Sequence, residues 1–365
     1  MELKISRPAL AEALETAGSV VSTRPTLPIL GNVLLEAGKK HLTLISTDLE
    51  VGIVIELEAA VKKEGKLTVP AKKLLEVVRE LPGDEVSIDT DSASRMLMKA
   101  GSVDIKLLGL APDEFPQLPD VKKEAEVKVP CDVLAKMIDR TLYAVSNDET
   151  RYVLNGAYVI WEKGEFRMVT TDGRRLSFIK TVLSGTGGKG EAIVPTKALQ
   201  ELARLLGGRE GDTVITLGEG YARFQLGSAT LTTRLIDGHF PDYEQVIPKA
   251  QDKKVVVETA LFHAAARRSA LIAADRSSSV RLDVKKGVVT FTASSHELGE
   301  AREDVPVTYD GEPLSVAYNA KFLMDVLKHI DAKETILELS TALAPGVLKP
   351  AGDDTYICVV MPIRI

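Results

Sequence analysis

The segment TDGRRL, residues 171–176, sets one carboxylate, Asp172, beside two guanidinium groups, Arg174 and Arg175. A carboxylate flanked by cations is a simple arrangement from which acid–base chemistry could be built. The same run has a weaker echo in STDLEVG around Asp48. A repeated Asp followed by turn-tolerant residues favours a turn capped by the Asp side chain. A second stretch, SGTGGKGEAIVP at 184–195, has the glycines of a phosphate-binding loop, but Lys189 is followed by Gly190 rather than Ser or Thr. A strand-like EAIVP also stands where a helix should begin, so a flexible surface hairpin is the expectation. The five histidines, at 41, 239, 263, 296 and 329, form no HxH or HExxH spacing, and Cys131 and Cys358 belong to no CxxC pair. No metal site, disulfide framework or cofactor is indicated. With no nucleophile and base in view, no catalytic residue is assigned.

The elements that must position these groups come from repetition. VPAKKLLEVVR from Val69, VPTKALQELAR from Val194 and YNAKFLMDVLK from Tyr318 align without a gap. Lys72, Lys197 and Lys321 coincide, as do Leu74, Leu199 and Leu323, then Glu76, Glu201 and Asp325, then Arg79, Arg204 and Lys328. The Phe-Pro landmarks DEFPQLP (113–119) and GHFPDYEQVIP (238–248) each precede a charged segment and a new apolar alternation. They mark the ends of repeats, giving domains at 1–122, 123–250 and 251–365. A length of 365 residues suits two or three domains of roughly 100–200 residues each.

Each copy carries a first helix (8–22, 132–146, 260–274) and the aligned lysine-leucine helix, whose apolar residues recur at helical spacing. Short alternating stretches such as HLTLIST, FRMVTT and VVTFTA read as strands between Gly, Asp and Pro. The expected fold is α+β, three repeated domains of two helices on antiparallel sheet. Sheet edges at both ends of such a chain need covering or pairing. With 45% hydrophobic and 27% charged residues, no run approaches a membrane span and no signal peptide opens the chain, so a cytoplasmic protein without a membrane partner is expected.

Net charge is −6, which taken alone argues against a nucleic-acid partner. Its distribution argues otherwise. Six helical segments (7–24, 71–80, 131–146, 196–209, 260–276, 319–333) hold 16 Lys and Arg against 10 Asp and Glu, or +6, and the remainder carries −12. A basic face made of repeated helices suits a regular polyanion contacted through phosphates, with duplex DNA the obvious candidate.

RPTLPILGNVLLEA (24–37), RYVLNGAYV (151–159), TDGRRL, FPDYEQVIP (240–248) and the terminal VVMPIRI resemble, in order and over the whole chain, the bacterial DNA sliding clamp family, the beta subunits of DNA polymerase III. The resemblance implies a clamp fold in which two crescent chains close head to tail as a homodimeric ring. Helices would line the hole, and the ring would tether the polymerase without catalysis. Implied partners are double-stranded DNA, the DNA polymerase III catalytic subunit, the clamp-loader complex, and other polymerases and repair proteins bearing short hydrophobic peptide motifs.

The peptide cleft would use Leu154, Thr171, Gly173, Arg174, Arg175, Leu176, Pro241 and Val246, with Pro345 and Val347 from a loop. The tail would add Val359, Met361, Pro362, Ile363, Arg364 and Ile365, making an apolar groove rimmed by Arg174 and Arg175. Arg174 stands where histidine is common and Gln245 where some members have Arg, which changes the polar rim. Implied DNA contacts are Arg24, Lys72 and Tyr152, with Lys197 added from the repeat. The dimer seam would pair domain 1 around Lys73, Ile105 and Leu107 with domain 3 around Leu271, Ile272 and Glu303. Two other readings stay open at this point: a peptide-binding scaffold that never meets DNA, and an enzyme with an interdomain site near Asp172.

Overall fold

In the computed structural model the described residues are 1–21, 27–91, 93–183, 188–273 and 278–364. Arg24, Ile365 and residues 184–187 of the glycine-rich loop lie outside them; the loop continues as a strand, Lys189–Pro195. The chain divides into two compact units, residues 1–135 with 185–236, and 136–184 with 237–365. These units do not follow the repeats, because the middle repeat pairs its strands with both neighbours in sequence.

Unit 1 holds an eight-stranded antiparallel sheet in the order Ala125–Pro130, Asp212–Gly218, Tyr221–Leu226, Ala229–Arg234, Val51–Glu58, His41–Thr47, Asn32–Ala37, Gly65–Pro70. The join between repeats is the pairing of Ala229–Arg234 with Val51–Glu58, in which Thr232 lies opposite Gly52. A five-stranded sheet follows the order Ala60–Lys63, Glu2–Ser6, Glu85–Thr90, Arg95–Ala100, Val103–Leu108. Helix α1 (Arg7–Gly18) is capped by Ser6, whose hydroxyl accepts from the Ala9 N–H at 3.4 Å, with Pro8 in its first turn. α1 packs on α2 (Ala71–Glu80), which buries Ala71, Leu74 and Val78 and leaves Lys72, Lys73 and Arg79 exposed. α3 (Cys131–Leu142) begins in unit 1 and ends in unit 2, and α4 (Thr196–Leu206) belongs to unit 1.

Unit 2 repeats the scheme. Strands Gly156–Glu162, Glu165–Thr171, Arg175–Val182, Tyr356–Val360, Gly346–Pro350, Glu334–Leu339 and Lys253–Glu258 lie in that order in one sheet. Its join pairs Arg175–Val182 with Tyr356–Val360, placing Leu176 opposite Val359. A second sheet runs Gly299–Pro306, Val288–Ser295, Ser279–Lys285, Leu314–Asn319. α5 (Thr259–Ile272) packs on α6 (Ala320–Lys328), and the Asn319 carboxamide caps α6 by accepting from the Lys321 N–H at 2.9 Å. Several helices stop short of the ends that the sequence suggests: α3 at Leu142 rather than 146, α4 at Leu206, α6 at Lys328. At α4, Gly207 and Gly208 follow, and glycine favours leaving the helical conformation. Among the described residues no helix is long and apolar enough to cross a membrane.

Edges remain where the repeats predict them. Val103–Leu108 ends the five-stranded sheet and Gly299–Pro306 ends the four-stranded one. On the former, Ile105 and Leu107 lie opposite buried Met98 and Met96 yet are themselves only half-buried, so the core row runs out to an open side.

Candidate functional site

Residues 171–176 fold into a turn closed by the Asp172 and Thr171 side chains. The Asp172 carboxylate accepts from the Arg174 N–H (2.8 Å), the Arg175 N–H (3.0 Å) and Arg175 Nε (3.1 Å). Thr171 Oγ1 donates to the Arg175 carbonyl at 2.6 Å and accepts from the Gly173 N–H at 3.1 Å. The Asp48 turn makes the same four backbone contacts: Asp48 accepts from Glu50 and Val51, and Thr47 bonds Val51 and Leu49. Gly173 holds φ 83°, a left-handed conformation natural to glycine, and Leu49 holds φ 80° in its place. A carboxylate committed to a turn in both copies is not a poised general base, so the reading of Asp172 as catalytic is set aside.

Arg175 corrects the expected rim. It opens a strand in which Leu176 faces one side of the sheet, and alternation sends its neighbour to the other. Its side chain is only 10% exposed. Nη1 donates to Asp325 at 2.6 Å and Nη2 to the Tyr143 carbonyl at 2.5 Å, while the guanidinium stacks 4.5 Å from the Phe322 ring centroid. Arg175 therefore pins α6 and the end of the first helix of its repeat to the sheet. Beside it, Tyr143 O–H lies 3.0 Å from Cys358 Sγ and 3.2 Å from Tyr356 O–H. Burial pushes both the Tyr143 hydroxyl and the Cys358 thiol up, so each stays protonated at neutral pH. Arg140, also buried, pairs with Asp331 at 3.0 Å.

The other face of this sheet carries an apolar cluster. Thr171, Leu176, Val359 and Val347 stand opposite one another in successive strands, so four expected residues share one row. The next row is Tyr158, Val169, Phe178 and Ile357. Leu176 and Val359 pack with Ile160, Val169, Phe178 and Tyr243, and Val246 lies against them. Phe240 stacks on Tyr158 with centroids 5.1 Å apart. Tyr158 was missed in the sequence because AYVIWE is apolar at both parities, as strands buried on both faces are. Pro241 is exposed, Leu154 is buried at the end of the turn Glu149–Leu154, and Pro345 accepts from Gln251 Nε2 at 2.7 Å.

The tail divides between core and surface. Tyr356–Val360 is a buried strand, whereas Met361, Pro362 and Ile363 are half-buried and Arg364 is exposed. Met361 N–H donates to the Arg174 carbonyl (2.9 Å) and Ile363 N–H to the Ala317 carbonyl (2.8 Å), the latter on an edge strand. Arg174 and Arg364 are exposed at this end of the sheet, and the sequence reading missed Arg167, which shares the face of the apolar cluster. Hydrogen bonds to the Tyr243 hydroxyl and Glu165 hold Arg167 firmly charged. Burial opposes ionisation of Glu165, but Arg167 and Lys180 outweigh it and keep the carboxyl below its usual range.

Of the expected DNA contacts, Lys72 and Lys197 belong to unit 1 and Tyr152 to unit 2. Lys72, Lys197 and Lys321 are all exposed near the starts of α2, α4 and α6. Lys197 is not a free cation: its ammonium pairs with Asp48, with Glu50 also 3.9 Å away. Tyr152 is 57% exposed. On α5, burial and the neighbouring cations Arg267 and Lys328 push His263 below its ordinary value, leaving permanent charges to set that face. Of the expected seam residues, Leu271 is 72% exposed and Ile272 half-buried at the end of α5. Glu303 is held by Arg268, and Lys73 pairs with Glu76. Among the described residues no group of three His, Cys, Asp or Glu could hold a metal.

Compared with known families, residues 1–119, 128–242 and 244–364 match in turn the N-terminal, central and C-terminal domains of the DNA polymerase III beta subunit. The chain is 38% identical over 373 residues to the beta sliding clamp of Caulobacter vibrioides, with all of both chains covered. Among solved structures it superposes on the sliding clamp of Pseudomonas aeruginosa bound to griselimycin with TM-score 0.96 at 34% identity, again over all of both chains. The Bartonella birtlesii clamp bound to griselimycin gives TM-score 0.95 at 33% identity with the same full coverage.

Replacing Arg175 by alanine takes the cation from Asp325, whose side chain is 29% exposed, and leaves the Tyr143 carbonyl without its donor, a loss of about 1–3 kcal/mol. The urea midpoint of Arg175→Ala should fall accordingly, while Arg174→Ala on the exposed neighbour should stay within about 0.5 kcal/mol of the parent. Equal midpoints for both variants would return Arg175 to the rim.

Proposed function

The chain belongs to the DNA polymerase III beta subunit family, the bacterial sliding clamps, and on that premise we propose how its own residues divide the work. The protein is a non-catalytic DNA sliding clamp. Two copies join head to tail, the open edges Val103–Leu108 and Gly299–Pro306 pairing with each other between copies, with Ile105, Leu107, Leu271 and Ile272 covered at the seam. The exposed ends of both sheets and the uncovered aliphatic residues beside them support this reading. The closed ring surrounds duplex DNA.

The observation that carries the DNA reading is the exposed lysine at one helical position in all three repeats. Phosphate contacts of this kind hold the duplex without reading bases, so the ring can slide. Retention is topological, and a polymerase tethered to such a ring gains a high effective concentration at the primer end. The ring is opened by a clamp loader. The groove around Leu176, Val246 and Val359 takes short apolar peptides from the polymerase III catalytic subunit, the loader and other DNA-processing proteins, Arg174 and Arg364 orienting their polar residues. Two relatives solved with griselimycin bound support a ligand-receiving surface in this family.

Lys72→Ala with Lys197→Ala removes two phosphate contacts from each chain. The slope of log K against log salt for binding to short duplex DNA should fall by about 1.8 per chain. Lys72→Ala alone should have the larger effect, since Lys197 must first leave Asp48. An unchanged slope would move DNA off these helices.

Deleting residues 361–365 takes away Met361 and its neighbours but leaves the strand Tyr356–Val360 in place. The truncated chain should melt close to the parent and still dimerise, while losing affinity for a short apolar polymerase peptide by at least tenfold. Collapse of the melt together with binding would make the tail part of the core instead.

A further inference from the structure

Unit 1 contains a second groove on the same frame. Its row Leu34, Ile45, Val54 and Thr230 stands in the register occupied in unit 2 by Tyr158, Val169, Phe178 and Ile357. The chain beyond the joining strand is held alike: Arg234 N–H donates to the Glu50 carbonyl and Ile236 N–H to the Ile193 carbonyl, each at 3.0 Å, where Met361 and Ile363 do so in unit 2. The Phe-Pro segment again forms one wall. Phe115 packs with Ile29, Leu34 and Ile45. Leu118 lies over Gly52, the counterpart of Leu176; a Cβ there would stand 2.4 Å from Leu118 Cδ2, so glycine makes the room. Between this wall and the sheet is a groove of about 580 Å³, lined by Leu34, Ile45, Val54, Phe115 and Pro116 among others, a size that suits a few side chains of a ligand.

The two grooves differ in the charges beside the apolar row. In unit 2 the adjoining row is Ile160, Arg167 and Lys180, its cations shared by Glu165 and Glu244. In unit 1 the same row is Glu36, Thr43 and Glu56, with exposed Asp113 on the wall. Lys66 supplies one cation, paired with Glu36 at 2.5 Å. The unit 1 groove is acidic where the unit 2 groove is balanced.

We infer that the unit 1 groove is a second peptide-docking site, taking a short segment with one or two apolar anchors flanked by lysine or arginine. The anchors fill the space over Ile45 and Val54, and the flanking cations meet Glu56 and Asp113. Charge complementarity selects this occupant over the peptides of the other groove.

The test uses the full chain and two end-capped fluorescent peptides, KALFK and EALFE, measured by anisotropy at low salt. KALFK should bind at least tenfold more tightly than EALFE. Glu56→Lys with Asp113→Lys, both exposed, should abolish or reverse that preference without moving the melting temperature. Val246→Glu, which blocks the unit 2 groove, should leave KALFK binding unchanged. Binding of KALFK that is undetectable, that matches EALFE, that survives the unit 1 substitutions or that is lost with Val246→Glu overturns the assignment.

Discussion

Backbone pairing between repeats is the constraint from which the site follows. Arg175–Val182 accepts Tyr356–Val360 as its neighbour, and the register puts Leu176 against Val359. Because side chains alternate with period two, a one-residue slip would turn that apolar row to the opposite face and bring Arg175 out with it. The turn at Asp172 fixes where the strand starts, and Arg175, bonded to Asp172, Asp325 and the Tyr143 carbonyl, fixes which face is inward. Apolar row and lock are therefore two sides of one strand. The equivalent join in unit 1 keeps the backbone bonds but places Thr232 and Gly52 where unit 2 has Val359 and Leu176.

Charge is handled separately from packing. An acidic chain offers lysines on exposed helix turns, and its carboxylates lie largely elsewhere, several of them committed to turns or to neighbouring cations. Asp48 does both, closing a turn and holding Lys197. On the proposed DNA reading, such a held lysine would bind a phosphate only by giving up the Asp48 contact. Weak, exchangeable contacts of this kind are compatible with movement along a duplex, where tight ones would arrest it.

The threefold repeat, the helix positions and the apolar character of the tail were legible in the sequence because each rests on local period. The capped turn at Asp172 was legible too, through its echo at Asp48. Arg175 was not: strand alternation separates it from Leu176, but the strand's first residue cannot be fixed from TDGRRL alone. The pairing of Lys197 with Asp48 was hidden for a different reason, since it joins residues far apart in the chain. Tyr158 escaped because its strand is apolar on both faces, and Tyr243 because it sits in a short helical turn after the Phe-Pro landmark, outside any strand pattern. Nor did the repeats reveal the two compact units, which arise from strand pairing between repeats rather than within them.

Retention on circular DNA tests the account most directly. Protein loaded with a bacterial clamp loader and ATP onto a nicked circular duplex, then separated by gel filtration at a salt concentration that abolishes phosphate binding, should remain with the circle. Cutting the circle once should release it within the time of the separation. Release from the intact circle at that salt, or retention after linearisation, would contradict a closed ring held by topology.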